Sequence, residues 1–265
     1  MLSESALGRH LPVAADPLFP SPTTYETNLA NLNLKPGAAE MVKTEDEVGR
    51  SSRPPLSPVD DREVRALLMR YQCPVPFHAV RTRFLGNIAS PIMSASPLDA
   101  VKALWGGDLP EFNSLDALNE LLRVLVMGLW NRLARHQERN TPFRLMRVDA
   151  PATREGLAMI ALIRRDELDG FVEGLFGTAE SLELPERAHR AINALSELRA
   201  IFDGLHELAG NPAKPVAAHE IAQTRRNIRE LTKAGEHEIQ ELVLSCTRAR
   251  RQLLSSMPTT KPTLH

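Results

Sequence analysis

A chain of 265 residues has room for two domains, yet its Pro-, Ser- and Thr-bearing ends cannot bury enough apolar surface to offset the entropy of ordering them, which leaves one core of middling size. Hydrophobic residues make up 43% and aromatic residues 5%, a mixture that suits Leu- and Ala-rich helices better than a sandwich of β-branched and aromatic strands. The formal charge of -1, from 32 basic and 33 acidic residues, excludes a global field that would concentrate polyanions, so nucleic-acid binding would need a local patch.

Residues 1–56 carry repeated Pro, Ser, Thr and Asn without a sustained period and are expected to form a disordered arm. Met1-Leu2-Ser3-Glu4 puts an acidic residue where a secretory signal wants basic ones, and no stretch approaches the roughly 20 apolar residues of a membrane span. A cytoplasmic location without membrane contact is the expectation. Ser57-Pro58-Val59-Asp60 reads as the first helix start, with Val64, Leu67, Leu68 and Tyr71 as its stripe and Cys73-Pro74-Val75-Pro76 as its stop. Phe77, Val80, Phe84, Leu85 and Ile88 continue at helical spacing until Ser90-Pro91, and Ser96-Pro97-Leu98-Asp99 opens a short helix closed by Gly106-Gly107.

Asn113 or Ser114 can cap what is expected to be the longest helix, with Leu115, Leu118, Leu122, Leu125, Leu129 and Leu133 on one face and Leu121, Val124 and Val126 widening it, ending at Asn140-Thr141-Pro142 after the basic turn Arg132, Arg135 and Arg139. Phe143 to Val148 alternates weakly and could be extended, although a lone strand would have no partner. Thr153-Arg154-Glu155 leads into an apolar run that continues or bends through Phe171 to Gly177; Gly170 and Gly174 share one side of it, where small residues let another backbone approach. Pro185-Glu186 begins a further helix ending near Gly210. Ala218 to Met257 then reads as one helix or two, since Gly235 interrupts the apolar phase.

Chemistry is thinly marked. Cys73 and Cys246 lack ligand-spaced neighbours, so reduced thiols and no zinc are expected. The eight His residues are dispersed. Asp166, Glu167 and Asp169 form a carboxylate cluster that reads as an exposed helix turn beside Arg164 and Arg165. No phosphate-cradling loop or nucleophile elbow occurs. Arg225, Arg226 and Arg229, with Arg248, Arg250 and Arg251, could meet phosphates or an acidic partner surface, but interleaved glutamates and scarce aromatics favour a charged helix face over nucleic acid.

Leu98-Asp99-Ala100-Val101-Lys102-Ala103-Leu104-Trp105-Gly106-Gly107, Pro110-Glu111-Phe112 and Trp130-Asn131-Arg132-Leu133-Ala134 together resemble the YecA/YgfB-like family of bacterial helical proteins. Leu168-Asp169-Gly170-Phe171-Val172-Glu173-Gly174-Leu175 is similar to that family's Gly-Phe-x-x-Gly helix. The resemblance covers roughly residues 60–210. It implies a helical fold and carries no agreed catalytic residues; the Cys-rich zinc-binding tail of longer members has no counterpart here, nor has the Trp-Cys pair that often precedes the Gly-Phe motif.

The expectation is therefore an all-α multi-helix bundle over 57–210, a charged helical extension over 211–257 that packs on the bundle or engages a partner, and a disordered tail over 258–265. The expected function is non-enzymatic, without cofactor or metal, acting on an unknown protein partner, with regulation among its roles and the oligomeric state open. Trp105, Gly170, Phe171 and Gly174 are the helix-packing or interaction candidates, with a groove beside the two glycines as one surface and the Arg-rich last helix as the other. Competing expectations are a nucleic-acid-associated regulator using that helix, and a hydrolase or metal-dependent enzyme in which Asp166 or Asp169 meets a distant His in a pocket.

Overall fold

The computed structural model describes residues 59–93, 95–211, 213 and 217–256; the arm expected over 1–56 and the tail over 258–265 lie outside the described residues. Among the described residues the regular elements are all helical: α1 (Asp61–Arg70), α2 (Phe77–Ala89), α3 (Pro97–Ala103), α4 (Leu115–Leu122), α5 (Asn131–Ala134), α6 (Arg154–Phe176), α7 (Glu186–Gly210) and α8 (Ala218–Ser256). A π-helical stretch, Arg123–Trp130, joins α4 to α5, and a 3-10 turn, Arg135–Gln137, follows.

Short polar side chains start these helices. Ser96, Ser114 and Thr153 accept from the backbone N–H of Asp99, Ala117 and Gly156 at 3.1, 3.2 and 3.2 Å, each satisfying a donor that has no partner in the first turn. The first helix begins later than the Ser57-Pro58 signal suggests. Asp60 caps it, its carboxylate accepting from Arg62 and Glu63 at 2.9 and 2.8 Å, so one residue settles two orphan donors. Gly106 and Gly107, at φ 82° and 116°, turn the chain out of α3 in a conformation that side chains with a Cβ rarely adopt. Trp105 beside them donates its indole N–H to the Tyr71 carbonyl at 2.9 Å, tying α3 to the end of α1.

The stripe expected from Leu115 onward does not keep one phase. Leu125, Leu129 and Leu133 of that stripe are buried, as are Leu121 and Val124 on its flank, whereas Leu115 is 71% exposed and Leu118 and Leu122 are half-buried; the π turn over Arg123–Trp130, which takes more residues than an α turn, parts the two stretches. The longest helix is α8, which passes through Gly235 without a break.

Central in the bundle, α6 packs on α2 and α7, and α8 packs on α7, α6 and α2. The α2–α6 crossing is close because glycines lie on both helices. A Cβ on Gly170 would stand 2.7 Å from the Ala79 carbonyl oxygen, one on Gly86 would stand 2.7 Å from the Leu175 nitrogen, and one on Gly174 would overlap the Arg83 carbonyl. The groove expected beside Gly170 and Gly174 is consequently no outer surface: α2 fills it, and Phe171 is fully buried. Likewise the boundary at 211 separates no second body, since Ile228, Ile239, Leu242, Val243 and Cys246 of α8 belong to the same core as α2 and α6.

The segment between α5 and α6 is extended and lies within this all-helical body. Its partners are side chains instead of a neighbouring strand. The N–H groups of Phe143 and Leu145 donate to Gln240 Oε1 and Glu236 Oε1 at 3.1 and 3.0 Å, and that of Met146 donates to Glu167 Oε1 at 2.7 Å. Arg81 and Arg164 donate to the carbonyls of Arg144 and Met146 at 3.3 and 2.8 Å. Polar residues on three helices thus satisfy backbone groups that a sheet would otherwise pair.

Candidate functional site: an arginine-lined cleft

Within the expected carboxylate cluster the three acids have different fates. Glu167 is buried, not exposed: it pairs with Arg164, itself 6% exposed, whose other nitrogens reach the Met146 carbonyl and Thr232 Oγ1. Burial raises the Glu167 pKa, and the guanidinium of Arg164 opposes that shift. Every polar atom of this pair faces a structural partner, so it holds α6, α8 and the extended segment together.

Asp166 and Asp169 lie on a surface ladder between α2, α6 and α7. Asp166 sits 3.5 Å from His78 Nε2, the distant His that an acid–base site would require, but also accepts from Arg165 at 3.0 Å. Arg165 continues to Asp203 at 3.1 Å, and Arg199 bridges Asp203 and Asp169 at 3.8 and 3.0 Å. Burial lowers the His78 pKa despite the aspartate, so the imidazole is neutral at physiological pH. The carboxylates are thus spent on guanidinium partners that stitch α6 to α7. Among the described residues no group of three or more His, Cys, Asp and Glu is placed to hold a metal ion, and no helix is long and apolar enough to cross a membrane. Burial pushes the Cys246 thiol up to about 11 and also raises that of Cys73, so both favour the protonated form at neutral pH.

The six candidate arginines of α8 divide by environment. Arg225 donates to the Ala150 carbonyl at 3.1 Å, and Arg226 is taken up by Gln223 on its own helix. Arg229 is exposed. Arg250 is a structural pin: it donates to the carbonyls of Ile88 and Ser90 at 3.1 and 3.2 Å and to Gln137 Oε1 at 2.8 Å. Arg248 and Arg251 instead line an open cleft of about 460 Å³ between α8, the turn after α5 and the start of α7.

Arg139 and Arg187 line the same cleft, with Glu138, Asn140, Glu241, Leu244 and Ser245. Arg187 is paired with Glu241. Arg139, Arg248 and Arg251 make no side-chain hydrogen bond or ion pair among the described residues, as is also true of Arg62, Arg135, Arg147 and Arg229, whereas Arg70, Arg123, Arg132, Arg144, Arg165 and Arg199 each hold a carboxylate; the cleft is what sets the three apart. The wall is fixed before any ligand arrives: Gln137 accepts from Thr247 and Arg250, and Gln240 donates to the His136 carbonyl at 3.5 Å. In sequence, Arg139 reads as an ordinary basic helix end and nothing singles out Arg187. Only the spacing of Arg248 and Arg251, three apart beyond Leu244 and Ser245, hints that they share a face.

What these features define is an all-α bundle whose open, polar, arginine-lined cleft is its distinctive surface. No family model, no curated protein and no solved structure matches the chain.

Proposed function

We propose that the chain is a non-enzymatic, cytoplasmic bacterial protein that regulates by binding, using the arginine cleft to dock an acidic segment of a partner protein. The observation that carries this reading is the gathering of Arg139, Arg248 and Arg251, without acceptors of their own, on a wall locked by Gln137. Guanidinium groups left without partners in a concave site favour an anionic ligand, and the locked wall lowers the ordering cost of receiving one. The groups suited to acid–base chemistry are engaged elsewhere in the ladder and the buried pair. A nucleic-acid ligand is less well served, because no aromatic side chain lines the cleft for base stacking and Arg225 and Arg226 have local partners. The YecA/YgfB-like resemblance accords with the proposal, as that family offers no catalytic residues to transfer.

Truncation at 211 cannot test this, because it would remove Ile239, Leu242 and Val243 from the core. Point substitutions can. Capture from a lysate of the source organism should compare the full chain with Arg248→Glu/Arg251→Glu and with the control Arg226→Glu/Arg229→Glu. A partner retained by the wild type and the control but lost by the cleft variant is the expected result. Equal retention by all three would refute the cleft as the docking surface.

A further inference from the structure

We infer that the acidic group received by the cleft is a phosphorylated side chain of the partner; this rests on the docking reading above and specifies its chemistry. Four arginines and two glutamates line the cleft, a formal balance of 4 − 2 = +2; the Arg187–Glu241 pair cancels within itself, so the surplus is that of Arg139, Arg248 and Arg251 less the one charge of Glu138. One carboxylate would leave half of that surplus uncompensated, whereas a phosphomonoester brings about −1.5 to −2 charges on three acceptor oxygens. Guanidinium forks match those oxygens two at a time, a geometry in which arginine exceeds any other side chain.

Neutral donors complete the match. The hydroxyl of Ser245 and the amide of Asn140 line the cleft without hydrogen-bond partners among the described residues. The volume of about 460 Å³ exceeds what a phosphoryl group alone occupies, leaving room for the residues flanking it in a chain, with Leu244 as the apolar contact. The cleft is open to solvent, so a chain can enter it without threading.

The full-length protein should be titrated at constant ionic strength with the peptide Gly-Gly-pSer-Gly-Gly, its Ser and Glu counterparts, and inorganic phosphate, following the ³¹P resonance or the heat of binding. Saturable binding of the phosphopeptide is expected, at least about tenfold tighter than the Glu peptide and weakened at least about tenfold by Arg248→Gln/Arg251→Gln, since hydrogen bonds to charged groups are each worth about that factor or more. Arg226→Gln/Arg229→Gln, on the same helix, should bind like wild type, and circular dichroism should show both variants as helical as the parent. Three results would each overturn the inference: a phosphopeptide no tighter than the Glu peptide, equal loss in both arginine pairs, or free phosphate binding more tightly than the peptide. Phosphatase treatment of the lysate separates this inference from the docking proposal. A partner still captured through the cleft after treatment would leave docking intact and remove the phosphoryl group; a partner released by treatment supports both.

Discussion

Arg164 and Glu167 carry the sharpest consequences of any single positions. Leu157, Ala161, Arg164, Leu168, Phe171 and Leu175 follow one another at spacings of four and three, which places the guanidinium in the seam that α6 turns toward its neighbours. Glu167 lies one heptad from Ile160 and Gly174 on the flank of that seam. Both charges are therefore legible as inward-facing once the period is laid over α6; a reading that groups Glu167 with Asp166 and Asp169 as one exposed turn loses the period. The partners themselves are not legible, because Met146 and Thr232 come from other parts of the chain. Glu167→Leu would strand the Arg164 charge and orphan the Met146 N–H, and is expected to lower the unfolding free energy by about 3–5 kcal/mol. Arg164→Met/Glu167→Leu should cost less than the sum of the two single changes, because neither charge is then left alone. Urea denaturation of the four proteins in a double-mutant cycle measures the coupling, and strict additivity would show that the pair does not interact.

At the scale of elements, glycine has opposite meanings in two helices. Across α2 and α6, Gly86, Gly170 and Gly174 occupy places where the facing backbone leaves no room for a methyl group. In α8, a Cβ on Gly235 would lie 3.7 and 3.8 Å from the side chains of Leu198 and Leu168, ordinary contact distances, in a helix that the missing side chain weakens. Gly174→Ala is expected to destabilise by about 1–3 kcal/mol or more through backbone displacement, while Gly235→Ala should stabilise by about 0.5–1 kcal/mol. Thermal melts followed by circular dichroism decide both, and a shift of the same sign in the two variants would contradict the packing described. The caps at Ser96, Ser114 and Thr153 and the close packing at Gly170 and Gly174 could be read from local spacing because their causes are local. The extended segment and the cleft could not. The first depends on Glu236 and Gln240 about ninety residues downstream, and the second unites Arg139, Arg187 and Arg248 from three separate elements. The π stretch also escaped, since a helical stripe drawn at a constant 3.6 residues per turn has no place for a wider turn.

For the molecule as a whole, the imidazoles tie stability to pH. His78 and His136 sit at separate places in the bundle, the first beside Asp166 and the second edge-on to Phe143 with Nδ1 2.8 Å from the Thr141 carbonyl. Burial lowers the pKa of each below the ordinary 6.5, more than the aspartate or the carbonyl restores. In that range the native protein binds fewer protons than the unfolded chain. The stability these residues support is therefore complete above about pH 6.5 and is lost as the pH falls through the imidazole range. Glu167 works in the opposite sense, because its raised pKa makes the native state the better proton binder as the pH falls from its folded pKa toward 4.5. Wild-type curves alone would mix the two effects, but variants separate them. Denaturation between about pH 8 and about pH 5 is expected to show a smaller loss of stability in His78→Gln and in His136→Gln than in the parent, with the Glu167 contribution common to all three. Parallel pH profiles in the parent and both variants would mean that the imidazoles ionise as freely inside the bundle as outside it, and that the packing around α2 and Phe143 admits charge that the described burial forbids.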